Sequence, residues 1–221
     1  MKRTPALFSG IVVGGMLLSV TGLSSAKTMS FGASAQEGQT AMSATDSSSS
    51  ARTSGALLID DFDRGEKPNA LGGDFGAWDK DPNDPTQGAR NSFDRENAYG
   101  KVGYALRLDY DVDSPNPAYN GFWSKLQNLD ARPYRALVFY VKGDAAKGFT
   151  TQLKLELKND HETGHYVLKG ITDSWQKVVI PFNQFTGLTD VSKLTEWVVV
   201  FDDLTATKKV GTLYLDDVMV E

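Results

Sequence analysis

The sequence predicts an all-β protein, a two-sheet antiparallel β-sandwich. Two observations lead to this prediction. Many short apolar runs are separated by turns rich in Gly, Pro, Asn and Asp, which is the rhythm of a sandwich. The stretch 57–221 also opens with LLIDDFD and closes with LYLDDVMV, two strand-like runs that each contain an acidic pair. No Gly-rich phosphate loop follows a strand, so a nucleotide-binding α/β enzyme is not favoured.

The first 26 residues are predicted to be a secretory signal peptide. Lys2 and Arg3 form a short basic region, and residues 6–23 are apolar without a charge. Small residues before a cut after Ala26 fit a cleavage site, and residues 33–35 offer a second one. The alternative is an uncleaved anchor, because roughly 18 apolar residues are just enough to span a bilayer. The expected location is therefore secreted or periplasmic, with no membrane insertion after cleavage.

Residues 27–55 are predicted to be a disordered linker, and residues 56–221 a single folded domain. The linker is rich in Ser, Thr, Ala and Gly, and such a segment buries too little apolar surface to offset its ordering entropy. The 221-residue chain has no cysteine, which excludes a disulfide framework. With 23 basic and 28 acidic residues, its scattered positive charges argue against nucleic acid as a partner.

Alternation of apolar and polar residues marks individual strands of the domain. It is clearest in TTQLKLELKND, where Leu153, Leu155 and Leu157 are expected to face the core. The residues expected on the outer side of this strand are Gln152, Lys154, Glu156 and Lys158. The next run, HYVLKG, is predicted to pair with it as a hairpin. The run WVVVFDD is apolar on both faces, which is typical of a central strand.

The acidic pairs at the two ends of the domain suggest a structural calcium site. Calcium takes six to eight oxygen ligands, mostly carboxylates and backbone carbonyls. If the first and last strands pair, the carboxylates of Asp61, Asp63 and Asp216 converge, and Asp217 lies beside them. Calcium is therefore the expected cofactor.

The order of motifs in the domain resembles the family-eleven carbohydrate-binding modules. The motifs are IDDFD, NALGGDFGAW, YNGFW, LVFYVKGD, ITDSWQKVVIPF, WVVVFDD and GTLYLDDV, and they span nearly all of 56–221. The resemblance implies a galactose-binding-like jelly roll, a structural calcium and a concave sheet face that holds β-glucan-like chains. The complex I assembly-factor domain is a related jelly roll with a similar LGG-type turn.

Carbohydrate recognition uses aromatic rings as platforms and a few polar groups to fix hydroxyls. Phe122 and Ser124 are expected on the core side of their strand, so alternation points Trp123, which lies between them, outward. The same argument points Tyr140 outward. Tyr99, Tyr119 and Tyr166 are candidates for a rim. Trp78, Trp175 and Trp197 are expected to serve packing. The predicted carbohydrate-binding residues are Trp123, Tyr140, Gln152, Lys154, Glu156 and Tyr166.

The sequence predicts no enzyme. His161 and His165 are four residues apart but flank a turn with Gly164, so they lack the geometry of a helical zinc pair. No G-x-S-x-G nucleophile motif is present. The expected function is that of an exported, non-catalytic module that binds a polysaccharide on an exposed sheet face. The alternative is an interaction or assembly module that binds another protein of the cell envelope.

Overall fold

The computed structural model describes residues 55–221. The predicted leader, 1–26, and all but the last residue of the predicted linker, 27–55, lie outside the described residues. Among residues 55–221, no helix is long and apolar enough to cross a membrane.

Within this part of the chain, the backbone forms eleven strands and two 3₁₀ turns. The turns are Tyr99–Lys101 and Phe182–Gln184. The strands are β1 (Leu57–Asp60), β2 (Phe75–Asp79), β3 (Gly88–Asp94), β4 (Ala105–Asp111), β5 (Tyr119–Leu129), β6 (Ala136–Gly143), β7 (Gln152–Lys158), β8 (Thr163–Lys169), β9 (Gln176–Pro181), β10 (Leu194–Asp202) and β11 (Val210–Val220).

The strands form two antiparallel sheets, which confirms the predicted β-sandwich. Over residues 55–221, one sheet has six strands in the order β3-β4-β11-β6-β9, with β1 also paired to β11. The other has five strands in the order β2-β5-β10-β7-β8. β10 is a central strand and β7 pairs with β8, both as predicted. The first and last strands pair, which is the condition that the predicted calcium site requires.

The core lies between the inner faces of the two sheets. Leu153, Leu155 and Leu157 of β7 point inward and are each 1% exposed or less, which confirms the alternation predicted for this strand. The ring of Phe122 lies 5.7 Å from Phe75 and 5.6 Å from Trp197, centroid to centroid. Trp197 is therefore a core residue, as expected. Burial of each such side chain contributes roughly 1.5–3 kcal/mol to folding.

Loops cover much of the outer side of the six-stranded sheet. Tyr214 and Asp216 lie on that side of β11, yet they are only 3% and 2% exposed. The Tyr214 hydroxyl donates to Asp144 Oδ2 at 2.9 Å, and the Tyr99 N–H donates to Asp216 Oδ2 at 2.8 Å. The two loops that carry Asp144 and Tyr99 are thereby held against the sheet.

A buried asparagine holds the NALGG turn against β5. Asn69 is 2% exposed, and its Nδ2 donates to Ser124 Oγ at 2.9 Å and to the Lys125 carbonyl at 2.8 Å. Its Oδ1 accepts from the N–H groups of Leu71 and Gly73. A buried side chain with four satisfied hydrogen bonds fixes the turn, because losing it leaves its buried partners unpaired.

We predict that Asn69→Ala lowers the free energy of unfolding by about 2–3 kcal/mol, because the carbonyl of Lys125 and the turn N–H groups lose a buried partner. Denaturant unfolding followed by tryptophan fluorescence measures the change. Asn83→Ala is the matched control, since Asn83 is exposed in a loop and its replacement is expected to cost less than about 0.5 kcal/mol. Equal effects of the two substitutions would contradict this role of Asn69.

Candidate functional site

The outer face of the five-stranded sheet forms an open groove of about 560 Å³. One half of the groove is aromatic and the other half is charged. Its lining residues are Trp78, Tyr119, Trp123, Lys125, Lys154, Glu156, Lys158, Glu196, Val198 and Val200. The predicted outward direction of Trp123 is confirmed, since Phe122 is fully buried and Trp123 lines this groove.

Two glycines on neighbouring strands make room for the tryptophan rings. In the pairing of β2 with β5, Gly76 lies opposite Trp123, and Gly121 lies opposite Trp78. A Cβ on Gly76 would contact the Trp123 ring at 3.5 Å, whereas one on Gly121 would lie 1.9 Å from the Val199 carbonyl oxygen and 3.3 Å from Trp78 Nε1. Because neither glycine has a side chain, each ring can pack across the backbone of the adjacent strand. Both rings are partly exposed and line the groove.

Trp78 and Tyr119 extend the aromatic half, and the sequence analysis missed Trp78 as a site residue. Their ring centroids lie 5.8 Å apart with planes at 62°. Phe75 begins β2, is 1% exposed and therefore faces the core. Because successive side chains of a strand alternate between its two faces, Gly76 and Trp78 face outward. The parity of FGAW was the signal that could have placed Trp78 on this face. Tyr119, a rim candidate, lines the groove at the start of β5.

Two ammonium groups lie beside the Trp123 ring. Lys125 Nζ is 5.3 Å and Lys67 Nζ is 5.9 Å from the ring centroid, both within the range of cation–π attraction. Lys67 also forms an ion pair with Asp74 at 2.6 Å. These contacts restrict the orientation of the ring without burying it.

The charged half of the groove is a ladder of lysine and glutamate side chains. Glu156 lies 3.3 Å from Lys154 and 3.4 Å from Lys158, and Lys158 also pairs with Glu196 at 3.3 Å. Glu196 in turn accepts from Lys125. The side chains of Glu156 and Glu196 are only 13% and 15% exposed, so their oxygens hold fixed positions.

Such a ladder can exchange hydrogen bonds with a hydroxylated ligand. Carboxylate oxygens accept from hydroxyl groups and ammonium groups donate to them, and bonds to charged partners are the stronger kind. The predicted residues Lys154 and Glu156 both belong to it. Gln152 lies on the same side of β7, where its Nε2 donates to the Thr205 carbonyl at 2.6 Å.

Tyr166 does not belong to this face, which corrects the prediction. In the pairing of β7 with β8, Tyr166 lies opposite the buried Leu155, so both point to the inner side of the sheet. The Tyr166 ring packs 5.9 Å from Phe185. Its neighbour His165 takes the outward place, with Nδ1 3.4 Å from Glu156 Oε1.

Tyr140 faces outward as expected, but on the other sheet. It lies in β6, between Asp216 of β11 and Lys177 of β9. Its ring stacks on Tyr99 at 3.8 Å rather than near Trp123. Alternation along a strand gives the face of a residue but not the sheet to which the strand belongs, and this is why the prediction grouped Tyr140 with Trp123.

The acidic residues proposed for calcium are brought near one another by an irregularity in β11. The pairing of β11 with β6 shifts register between Asp216 and Met219, and Asp217 has a left-handed φ of 47°. Asp216 is 2% exposed and accepts from the N–H groups of Tyr99 and Asp217. Burial, together with the like charges of Asp217 and Asp63, raises the pKa of Asp216 to about 7 against those two hydrogen bonds.

The same group of carboxylates also shifts the pKa of Asp217. The pKa of Asp217 is raised by burial and then by Asp61 and Asp63. This accumulation of carboxylates is the donor chemistry that a hard cation prefers. Among residues 55–221, however, no group of three or more acidic, His or Cys side chains is close enough to hold a metal ion. Asp63 is exposed, and its backbone N–H donates to Asp61 Oδ1 at 3.1 Å.

A two-sheet β-sandwich with a groove of exposed rings and fixed polar groups on one sheet has the architecture of a carbohydrate-binding module. The comparison with protein families identifies which one. The model of the carbohydrate binding domain of family 11 matches residues 44–195, and the chain therefore belongs to that family. No curated protein matches the chain.

Solved structures of family 11 modules, and part of one solved enzyme, share the fold. The family 11 carbohydrate-binding module of the cellulosomal cellulase Lic26A-Cel5E of Clostridium thermocellum is 17% identical, with a TM-score of 0.56 over 75% of this chain and 94% of that one. A family 11 module from Clostridium thermocellum in complex with a β-1,3-1,4-mixed-linked tetrasaccharide is 16% identical, with the same TM-score and coverage. An exo-β-agarase matches with a TM-score of 0.51 and 13% identity, over 76% of this chain and 24% of its own.

Proposed function

We propose that the chain is an exported module that holds a β-glucan-like polysaccharide in the groove of the five-stranded sheet and does not cleave it. The observation that carries this proposal is the combination, in one groove, of the Trp78, Tyr119 and Trp123 rings with the Lys/Glu ladder. Sugar rings have apolar faces that stack on aromatic side chains, while their hydroxyls need fixed hydrogen-bonding partners. The groove offers both kinds of contact.

The β-glucan class is supported by the relative that was solved with a β-1,3-1,4-mixed-linked tetrasaccharide. An open groove rather than a closed pocket suits an internal segment of a long chain, since such a ligand must continue beyond the site at both ends. The charged half of the groove is the Lys/Glu ladder. In this proposal its carboxylates accept hydrogen bonds from the hydroxyl groups of the sugar. The absence of cleavage is tested by incubating the purified chain with the polysaccharide and measuring reducing ends, whose number should not increase.

Export rests on the predicted leader, residues 1–26, and would place the module outside the cytoplasm. N-terminal sequencing of the protein recovered from outside the cell tests the proposed cut after Ala26. The alternative partner, another envelope protein, is favoured neither by the family match nor by the groove. A pull-down in which a bound protein survives an excess of soluble β-glucan would support that alternative instead.

We also propose that Asp61, Asp63 and Asp216 draw together around a structural calcium ion, because among residues 55–221 their side chains are not grouped closely enough to hold a metal as they stand. The support is their donor chemistry and the place of Asp216 near the junction of β1 and β11, where burial first, and then the like charges of Asp217 and Asp63, raise its pKa. A bound Ca²⁺ would supply positive charge to this cluster, and the Tyr99 and Asp217 N–H groups orient the Asp216 carboxylate. It would stabilise the junction between the two ends of the domain.

The groove predicts that Trp123→Ala lowers affinity for mixed-linked β-glucan by about 2 kcal/mol, or roughly 30-fold in Kd, because a central aromatic contact is lost. Retardation in native gels containing the polysaccharide measures the change. Val179→Ala, an exposed position on the other sheet, is the control and should migrate like the wild-type chain. Full retardation of Trp123→Ala at an unchanged melting temperature would exclude the groove as the site.

Loss of one carboxylate from the ladder should also weaken binding. Glu156→Gln keeps the shape of the side chain but replaces a charged acceptor, so we expect a loss of about 1.5 kcal/mol, near tenfold in Kd. Titration calorimetry with the same glucan measures it. Glu66→Gln, which changes an exposed glutamate that does not line the groove, should leave Kd unchanged. If both variants bind like wild type, the ladder does not contact the ligand.

Calcium binding predicts a melting temperature that depends on free Ca²⁺. At about 100 times Kd the stabilisation is roughly 2.7 kcal/mol, which corresponds to a shift of about 5–10 °C for a domain of this size. Scanning calorimetry with calcium and with chelator measures the shift. Asp63→Asn should reduce it, whereas Asp113→Asn, an exposed loop control, should keep it. The same melting temperature with and without chelator would argue against the ion.

A further inference from the structure

A second aromatic cluster lies on the outer side of the six-stranded sheet. The ring of Tyr99 stacks on Tyr140, with centroids 3.8 Å apart and planes at 22°. Trp175 approaches Tyr99 nearly at a right angle, with centroids 5.8 Å apart and planes at 71°. Tyr140 lies on β6, while Tyr99 and Trp175 come from two different loops. The stack therefore joins three separate segments of the chain.

This cluster lines an open pocket instead of closing over itself. The pocket has a volume of about 390 Å³, and Tyr99 and Trp175 form its aromatic wall. Glu96, Asn97 and Lys142 add an acceptor, an amide and an ammonium group to the lining. Lys142 Nζ lies 5.7 Å from the Trp175 ring centroid and donates to Asn97 Oδ1 at 2.6 Å. These are the same kinds of groups that line the groove on the opposite sheet.

The loop that carries Tyr99 is held in an unfavourable backbone conformation. Gly100 and Lys101 have left-handed φ values of 68° and 63°. Glycine adopts this conformation freely, but a lysine there is destabilised by contact between its Cβ and the backbone. Asp216 accepts the Tyr99 N–H at 2.8 Å and fixes the loop at this point. Strain of this kind is concentrated at sites where the position of a side chain matters for function.

We propose that this pocket is a second carbohydrate-binding site, which takes a short hexose segment against Trp175 and Tyr99. The inference rests on the proposed function, because its ligand is the same class of polysaccharide. The pocket is smaller than the groove, and this favours a chain end or one to two sugar units over a long internal segment.

The two sites point away from each other on opposite faces of the sandwich. Packed sheets lie about 10 Å apart, and each site projects outward from its own sheet. A stiff polysaccharide that lies in the groove cannot bend around the domain to enter the pocket. The module would therefore engage two chains at once and link them.

Titration calorimetry of the full chain with a β-1,3-1,4-mixed-linked tetrasaccharide tests the proposal. We expect two sites for the wild type, one for Trp175→Ala and one for Trp123→Ala, with no binding by the double variant. Trp175→Phe keeps a ring and should retain the second site, with at most a tenfold loss of affinity. If Trp175→Ala lowers the melting temperature, Lys142→Met is the second variant and should weaken the same site. Light scattering with long mixed-linked glucan should show cross-linked particles only when both sites are intact.

The two proposals fail in different ways. One site in the wild type, abolished by Trp123→Ala and unaffected by Trp175→Ala and Lys142→Met, overturns the second site and leaves the groove in place. One site that is abolished by Trp175→Ala and kept by Trp123→Ala overturns the groove instead. A wild-type chain that binds neither the tetrasaccharide nor the long glucan overturns both.

Discussion

The two-residue alternation of β10 is the constraint on which the rest of the domain depends. Its inner side chains Trp197, Val199 and Phe201 are buried in the core, and its outer residues Val198 and Val200 form the floor of the groove. β10 lies between β5 and β7, so its register also sets which of their residues share that floor. A slip of one residue would exchange core and groove at once, because successive side chains point to opposite faces. Fold stability and ligand contact are thus determined by the same pairing.

The division of the groove into two halves follows from the residues that flank β10. On the β5 side, the glycines opposite Trp78 and Trp123 let each ring pack across a neighbouring strand. On the β7 side, alternating Lys and Glu neutralise one another across the strands. Both arrangements consist of contacts within the protein that already restrict the side chains, so little conformational entropy remains to be lost on binding. The proposed binding mode is therefore one of pre-organised contacts.

The sequence predicted local features well and long-range ones poorly. The inward leucines of β7 and the outward direction of Trp123 follow from alternation within one run of residues, and the β-sandwich follows from the succession of short apolar runs and turns. The errors have a common physical origin, because alternation does not reveal which strands become neighbours. Tyr140 was given the correct face but grouped with the wrong sheet, and Tyr166 was misplaced because its pairing with Leu155 depends on the hairpin register. Trp78 is the exception, because the alternation within β2 points it outward and the prediction nevertheless assigned its ring to packing.

The pairing of β1 with β11 has a consequence for how the domain can be joined to other chains. Leu57 lies opposite Val220, so the start of β1 and the end of β11 lie side by side at one end of the sandwich. Domains with adjacent ends tolerate insertion into a host loop and circular permutation, since neither requires a long connection. A short bridge from residue 221 to residue 56, with new ends in the exposed loop 80–86, would preserve every strand pair. The domain can thus be displayed as a side branch of another protein, with its sheets undisturbed.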